Sequence, residues 1–582
     1  MRPYSCRRPL KGLASLAPAF AVLALAAPAV ATPALPLGHA GRWITDASGR
    51  VVVVHGINMV YKLPPYYPAA AGFSDDDAAF LHSIGFNAVR VGVIWKALEP
   101  KPGSYSDSYL AQIADTVQTL ARHGIVSLLD FHQDMLNEQF QGEGFPDWAI
   151  QTGGLPNPTL GFPGNYLANP ALGHALDQFY ANAPGPGGVG LQDRLAAAWA
   201  HVAAYFRNQP SVLGYELLNE PFPGTLWEPC LAASGCPASD AKLAPLYRRI
   251  ATAIRVQDPR TLIWYEPNPL FNSGSNTSLP ALGDPHAGFA FHDYCLTASP
   301  QGCASEATPF ADALAHVAAT REAVMMTEFG ATNLVGDLDG MVARADANMV
   351  PWLEWAYCGC HDPTTSGPGN VQAIVIDPSK PPGGTNLVEP TLHALVEPYP
   401  QVIAGTPRSW GYARSADTFK LSFSTATVGG GGAFRTGSLT EVATPPLDYP
   451  SGYSAAASGA AIVSPARAVT LLVAQCPGAA QVSVTVAPSG PSGGSCRARL
   501  RLTLTPRHYV AGRATTFNVT VTAVLGSFST PLEGATVVLA GRRARTGARG
   551  GARFRLRLRG GRQIIVARAP GFISGRARLT AN

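Results

Sequence analysis

The sequence predicts an α/β chain: a (β/α)8 TIM barrel followed by two small all-β sandwiches. Three observations carry this. Eight short, nearly continuous apolar runs recur between residues 51 and 357, with amphipathic or loop segments between them. Polar residues gather at the C-terminal ends of those runs. Helical periodicity stops after about residue 400, where period-two alternation takes over. Strands of a parallel barrel are buried on both faces and read as unbroken apolar runs, and the working face of such a barrel is built from its C-terminal strand ends.

At 582 residues the chain exceeds a single core, and 46% hydrophobic against 14% charged residues excludes a disordered polypeptide. Residues 1–31 carry Arg2, Arg7, Arg8 and Lys11, then an apolar run, then Ala29-Val30-Ala31. This order is that of a secretory signal peptide, and the short Ala/Pro-rich stretch argues against a membrane anchor. The mature chain is expected to be secreted or extracellular, without a transmembrane segment. Its eight remaining cysteines form an even, clustered set, which in an exported protein favours disulfides. Cys230/Cys236, Cys295/Cys303 and Cys476/Cys496 are plausible staples. Cys358 and Cys360 stand too close for an easy mutual bridge, and their partners stay open. No histidine lies at zinc-ligand spacing beside these pairs.

Residues 38–400 are assigned to the barrel. Its runs are VVVVHGIN (51–58), NAVRVGVIW (87–95), IVSLLDFH (125–132), VLGYELLNE (212–220), TLIWYEP (261–267), FAFHDY (289–294), AVMMTEF (323–329) and VPWLEWAY (350–357). DDDAAFLHSIG before the second run and LQDRLAAAWAHVAAYFRN before the fourth have helical period. Residues 405–487 alternate as a β-sandwich, with segments such as TFKLSFSTATV and AQVSVTVAP. PSGPSGGS marks a linker over 488–498. Residues 499–582 read as a second, immunoglobulin-like sandwich, in which Arg553, Arg555, Arg557 and Arg559 alternate with Phe554, Leu556 and Leu558, so that one strand face is basic.

The net charge of +5 hides a division, because residues 497–582 hold 17 arginines against the single acid Glu533 while the catalytic part is acidic. The tail is expected to contact an anionic surface, an acidic lipid or a cell-wall polymer. Nucleic acid is not an expected partner of an exported chain. The competing reading is an arginine-rich spacer reflecting a GC-biased genome.

The strand ends suggest chemistry. Hydrolysis of a glycosidic bond with retention needs two carboxyls about 5–5.5 Å apart, one a nucleophile and the other an acid that later acts as base. Glu220 ends the fourth run and Glu328 the seventh, and these strands face each other across a barrel. Asn219 can bond a sugar hydroxyl, and Pro221 fixes the turn that aims Glu220. A glutamate held near a second carboxylate also has a reason to stay protonated.

LNEP, TEFG, RVGVIW, DFHQD and HDY together resemble family 5 glycoside hydrolases. INMVYKLPPYYP, GFNAVRVGVIWKALEPKPGSY, LLDFHQDML, GEGFPDWA and LLNEPFPG resemble the endoglycoceramidase subgroup, which releases the intact glycan from glycosphingolipids. The likeness covers about residues 45–400, and the sandwich at 405–487 looks like the β-domain that follows the barrel in that family.

The resemblance implies Glu220 as acid/base and Glu328 as nucleophile. Arg90 and Tyr294 would keep Glu328 ionised. His132, Asn219 and His292 would line the cleavage subsite, and Lys62, Gln133 and Asp134 would contact the first sugar. Trp355 would be the sugar platform, although Trp352 on the same run is an open alternative. Glu266, a third strand-end carboxylate, is expected to play a hydrogen-bonding role. Arg90 and the two histidines also have ordinary structural readings as barrel ion-pair and strand-end residues.

KLPPYYPAAAGF (62–73) and PFPGTLW (221–227) are candidate landing surfaces for a lipid aglycone. No cofactor or metal is expected, since this chemistry needs none. Three functions compete at this stage: a glycolipid-cleaving enzyme, a steryl glucosidase or polysaccharide endoglucanase with the same mechanism, and an idle carbohydrate-binding scaffold.

Overall fold

A computed structural model describes residues 33–295, 297–365, 367 and 369–581; the expected signal peptide lies outside them. Eight parallel strands close into a barrel in sequence order: β1 (His55–Met59), β2 (Ala88–Val93), β3 (Val126–Phe131), β4 (Val212–Glu216), β5 (Leu262–Tyr265), β6 (Ala287–Asp293), β7 (Ala323–Phe329) and β8 (Trp352–Glu354). The helical segments expected before β2 and β4 are helices Asp75–Ser83 and Leu191–Phe206. Ser74 and Asp77 cap the first reciprocally, each accepting from the other's backbone N–H. The β5 to β6 connection carries only a short 3-10 turn, Pro269–Ser273, which leaves room above β5 for a functional side chain.

Strand alternation sorts the interior into layers. Ala88, Val126, Leu128, Leu213, Leu262, Trp264, Ala290, Met325 and Leu353 form an apolar plug at the bottom. Two residues further along the strands, Asn58, Arg90, Asp130, Glu216 and Thr327 make a fully buried polar layer. The next inward positions carry the residues of the mouth. Helices cover the outward faces, where Val89, Val91, Tyr215, Ile263, Phe291 and Met326 join the large core between barrel and helices.

The structure departs from the sequence reading in three places. The first apolar run is divided. Val51–Val52 leave the barrel and pair antiparallel with Val402–Ile403, so the strands between Gly38 and Val52 extend a seven-stranded sheet of the following sandwich; only His55–Met59 enters the barrel. Both halves are buried, so burial alone does not distinguish them. Secondly, Cys358 and Cys360 are joined to each other, since the turn that follows β8 folds their side chains together. The three expected staples are present. Thirdly, the 488–498 segment is held at several points: Gly493–Gly494 pair parallel with Ala456–Ala457, Ser495 N–H bonds the Ala457 and Ala460 carbonyls, and Cys496 is bonded to Cys476. A Gly/Ser-rich composition allows a tether but does not enforce one.

The last domain packs one sheet built on Ala514–Leu525 against a second, in which Thr536–Leu539 and Arg562–Arg568 are central. Its core also takes in Ala461, Val463 and Ala474 from the middle sandwich. No helix among the described residues is long and apolar enough to cross a membrane.

Candidate active site

Glu220 lies just beyond the end of β4 with φ +40°, in a region that costs a non-glycine residue about 1–3 kcal/mol. Pro221 keeps its predecessor out of the right-handed helical region, and three bonds hold the strained turn. Glu266 accepts the Glu220 N–H at 3.1 Å, and Gln133 Nε2 donates to the carbonyls of Asn219 and Glu220 at 2.7 and 3.1 Å. The carboxylate is thereby aimed across the barrel, where Asn272 donates to Oε1 at 2.8 Å and His292 Nδ1 lies 2.9 Å from the same oxygen.

Glu328 reaches the mouth through a bulge. Between Met326 and Glu328 the register of β7 on β6 shifts, so that Glu328, in place of Thr327, stands opposite His292. A bulge places two successive residues where one would fit. Thr327 faces inward and donates to Glu216 at 2.8 Å, and Glu328 faces the same cavity one level higher. Arg90 Nη1 donates to Glu328 Oε1, and Tyr294 Oη donates to Oε2 at 2.8 Å. One carboxylate oxygen from each of Glu220 and Glu328, with a ring nitrogen of His292, lie within 4.8 Å of one another.

The two carboxyls sit in opposed surroundings. Burial, reinforced by the charge of Asp134, pushes Glu220 up to about 7. Glu328 instead accepts hydrogen bonds from a guanidinium and a phenol. Arg90 is fully buried; it also meets Glu216 and Asp130 and donates to Asn58 and Asn219 at 3.1 and 2.9 Å. Burial opposes its charge, but Asp130, Glu216 and Glu328 outweigh that and hold it firmly protonated. Burial pushes His292 down to about 4, leaving it neutral between the two carboxyls.

A second cluster lines the neighbouring wall. Lys62 Nζ donates to Asp134 at 2.6 Å and Thr364 at 2.7 Å, meets Asp362 at 3.2 Å, and stands 4.4 Å from the centroid of the Trp355 ring. His132 stacks on Trp355 from another side and bonds Asp130 at 2.7 Å. Burial works against a charged His132, yet Asp130 lifts it to about 10. Trp352 points outward, against Phe86 and Phe329 in the helix-facing core, which leaves Trp355 as the tryptophan of the mouth.

Most residues named from sequence converge here: Glu220, Glu328, Arg90, Asn219, His292, Tyr294, His132, Asp134, Lys62 and Trp355. Gln133, expected as a sugar contact, directs its amide to the backbone that carries Glu220, and its Oε1 accepts from Leu136 N at 3.0 Å. Asn58, Asp130, Glu216 and Asn272 escaped sequence reasoning. Asn272 sits in an unpatterned loop, but the other three stand at inward positions of strands already recognised, and counting by twos along β1, β3 and β4 would have found them. Of the apolar segments expected to receive a lipid, Tyr66 and Phe222 pack inward, Phe222 stacked on Tyr166. Leu155, Leu160, Leu167 and Leu231 stay 43–59% exposed instead, on the connections that follow β3 and β4.

The family model described as cellulase (glycosyl hydrolase family 5) matches residues 45–360, and the glycoside hydrolase family 5 C-terminal domain matches 398–486. Endoglycoceramidase I of Rhodococcus hoagii is 32% identical over 492 residues, covering 80% of this chain and 90% of its own. The endoglycoceramidase of Cyanea nozakii is 36% identical over 251 residues, 38% of this chain and 49% of its own. Among solved structures, endo-glycoceramidase II from a Rhodococcus species superposes with a TM-score of 0.62 at 26% identity, over 76% of this chain and 99% of its own.

Proposed function

From a chain that belongs to glycosyl hydrolase family 5 and is a glycoside hydrolase, we infer a secreted retaining β-glycosidase that cuts the bond between oligosaccharide and ceramide in glycosphingolipids. The observation that carries the reaction type is the Glu220/Glu328 pair, whose oxygens approach within 4.8 Å, with Glu220 pushed up to about 7 by burial and Glu328 bonded by Arg90 and Tyr294. So close an approach is consistent with direct attack by one carboxyl, as the retaining route requires.

In the first step a Glu328 oxygen attacks the anomeric carbon. The bond from that carbon to the aglycone oxygen breaks, and Glu220 gives its proton to the departing oxygen. In the second step Glu220, now a carboxylate, takes a proton from water; the water oxygen bonds the anomeric carbon and Glu328 leaves. Arg90 and Tyr294 donate to the nucleophile's two oxygens, orienting them before attack and receiving them again when the carboxylate leaves. Trp355, with Lys62, Asp134 and His132 around it, forms the sugar-binding wall.

A ceramide leaving group is favoured by the endoglycoceramidases among the relatives and by the exposed leucines on the connections that follow β3 and β4. Four disulfides favour an oxidising compartment and hence export.

The mechanism is tested by trapping. An activated 2-deoxy-2-fluoro-lactoside slows both steps and should leave a disaccharide adduct on the peptide that contains Glu328. An adduct on Glu266, or hydrolysis of the parent lactoside with no adduct on any carboxylate, overturns the assignment.

A further inference from the structure

The last domain presents two outer faces, both rich in arginine but different in character. On the sheet built on Ala514–Leu525, Arg499, Arg501, Arg553, Arg555 and Arg557 stand exposed around Thr516, Asn518, Thr520 and Thr522. That face is polar throughout its centre. On the other sheet the register places Val538 beside Val566, with Ile564 in the next row of the same face. Ile564 is 56% exposed, while its neighbour Ile565 is buried in the core.

Six exposed arginines ring this aliphatic centre. Arg543 lies opposite Val538 and Arg576 opposite Val566; Arg578 lies opposite Ile564; Arg545 and Arg568 flank Thr536; and Arg562 closes the end. The only acid between 497 and 582, Glu533, sits in the turn before Thr536.

We propose that this face is a docking surface for an anionic phospholipid bilayer, on which Ile564, Val538 and Val566 meet the headgroup and acyl boundary while the surrounding arginines bind phosphates. A soluble polyanion satisfies the arginines but draws nothing from the aliphatic centre. A bilayer satisfies both, since guanidinium groups fork onto phosphate oxygens and aliphatic side chains gain by entering the interface. The role at the surface rests on the glycolipid reading, because an enzyme whose substrate is embedded in a membrane benefits from residence there. The binding itself does not depend on that reading. The domain is also fixed to the rest of the molecule: it shares a core with the middle sandwich and is joined to it through the segment pinned by Cys476–Cys496.

The test uses the full chain and vesicles of phosphatidylglycerol and phosphatidylcholine that contain no glycolipid, at 0.15 M salt, with cosedimentation as the readout. Binding is expected to anionic vesicles and not to pure phosphatidylcholine. One basic residue near an anionic leaflet contributes about a fivefold factor, so Arg576→Ala with Arg578→Ala should weaken binding roughly 30-fold. Ile564→Glu, at an exposed position, should weaken it on the order of tenfold or more. Arg553→Ala with Arg555→Ala, on the far face, should cost less than about threefold, because salt screens charges roughly a sandwich thickness away.

Equal losses for the two arginine pairs, no effect of Ile564→Glu, or no binding to anionic vesicles would each overturn the proposal, as would equal affinity for a soluble cell-wall polyanion that Ile564→Glu leaves unchanged. All variants should hydrolyse a water-soluble aryl lactoside as the parent does. Failure of the glycolipid reading would look different: vesicle binding intact, with no hydrolysis of embedded glycolipid.

Discussion

Glu220 and Glu328 are the same residue type at the ends of two strands, and their neighbours make them different. Burial and the Asp134 charge hold the first up to about 7, while Arg90 and Tyr294 bond the second. The acid must carry a proton to act, so kcat/KM should fall as pH rises through about 7. Glu220→Gln should remove that basic limb and cost about 10²–10⁴-fold on substrates with poor leaving groups, with much less loss on an activated aryl glycoside; equal losses on both would contradict an acid role. Arg90 makes a second prediction. Arg90→Met leaves Asp130, Glu216 and Glu328 buried around an uncharged side chain, and denaturant unfolding should show a loss of about 3–5 kcal/mol together with loss of turnover. The convergence of the two glutamates was legible in the sequence because each ends an apolar run. The residues that tune the pair were less so: Asn272 lies in a loop without periodicity, and the part played by Gln133 depends on where its amide points.

The elements show why the fold is readable and where such a reading stops. An apolar run identifies a strand by its burial but does not say in which sheet the strand is buried, so VVVVHGIN reads as one strand and folds as two. The bulge in β7 left no mark in AVMMTEF either, although it sends both Thr327 and Glu328 inward. Packing at the barrel floor is tight. A Cβ on Gly288 would stand 2.4 Å from the Trp264 ring, and one on Gly214 would meet the same ring at 2.4 Å. Gly288→Ala should therefore destabilise the protein by about 1–3 kcal/mol through overpacking, read as a lower thermal midpoint. An unchanged midpoint would mean that Trp264 has room to move.

At the scale of the whole molecule, the barrel and the middle sandwich are interdependent. Val51–Val52 complete the sandwich sheet, the Tyr399 hydroxyl donates to the Gly85 carbonyl at 2.7 Å, Tyr399 stacks on His55, and Trp410 Nε1 donates to Asp346 at 2.7 Å. The two should unfold in one calorimetric transition, and a chain ended at Glu397 should not fold to a soluble barrel; a soluble, active truncation would contradict this. The proposed activity is release of an intact glycan from a lipid by two carboxyls. Its most direct test is mass spectrometry of the products formed from lactosylceramide in detergent by the parent protein, Glu220→Gln and Glu328→Gln. Intact lactose and free ceramide are expected from the parent and neither from the Glu328 variant. Release of single sugars, or no cleavage by a parent protein that still hydrolyses an aryl lactoside, would contradict it.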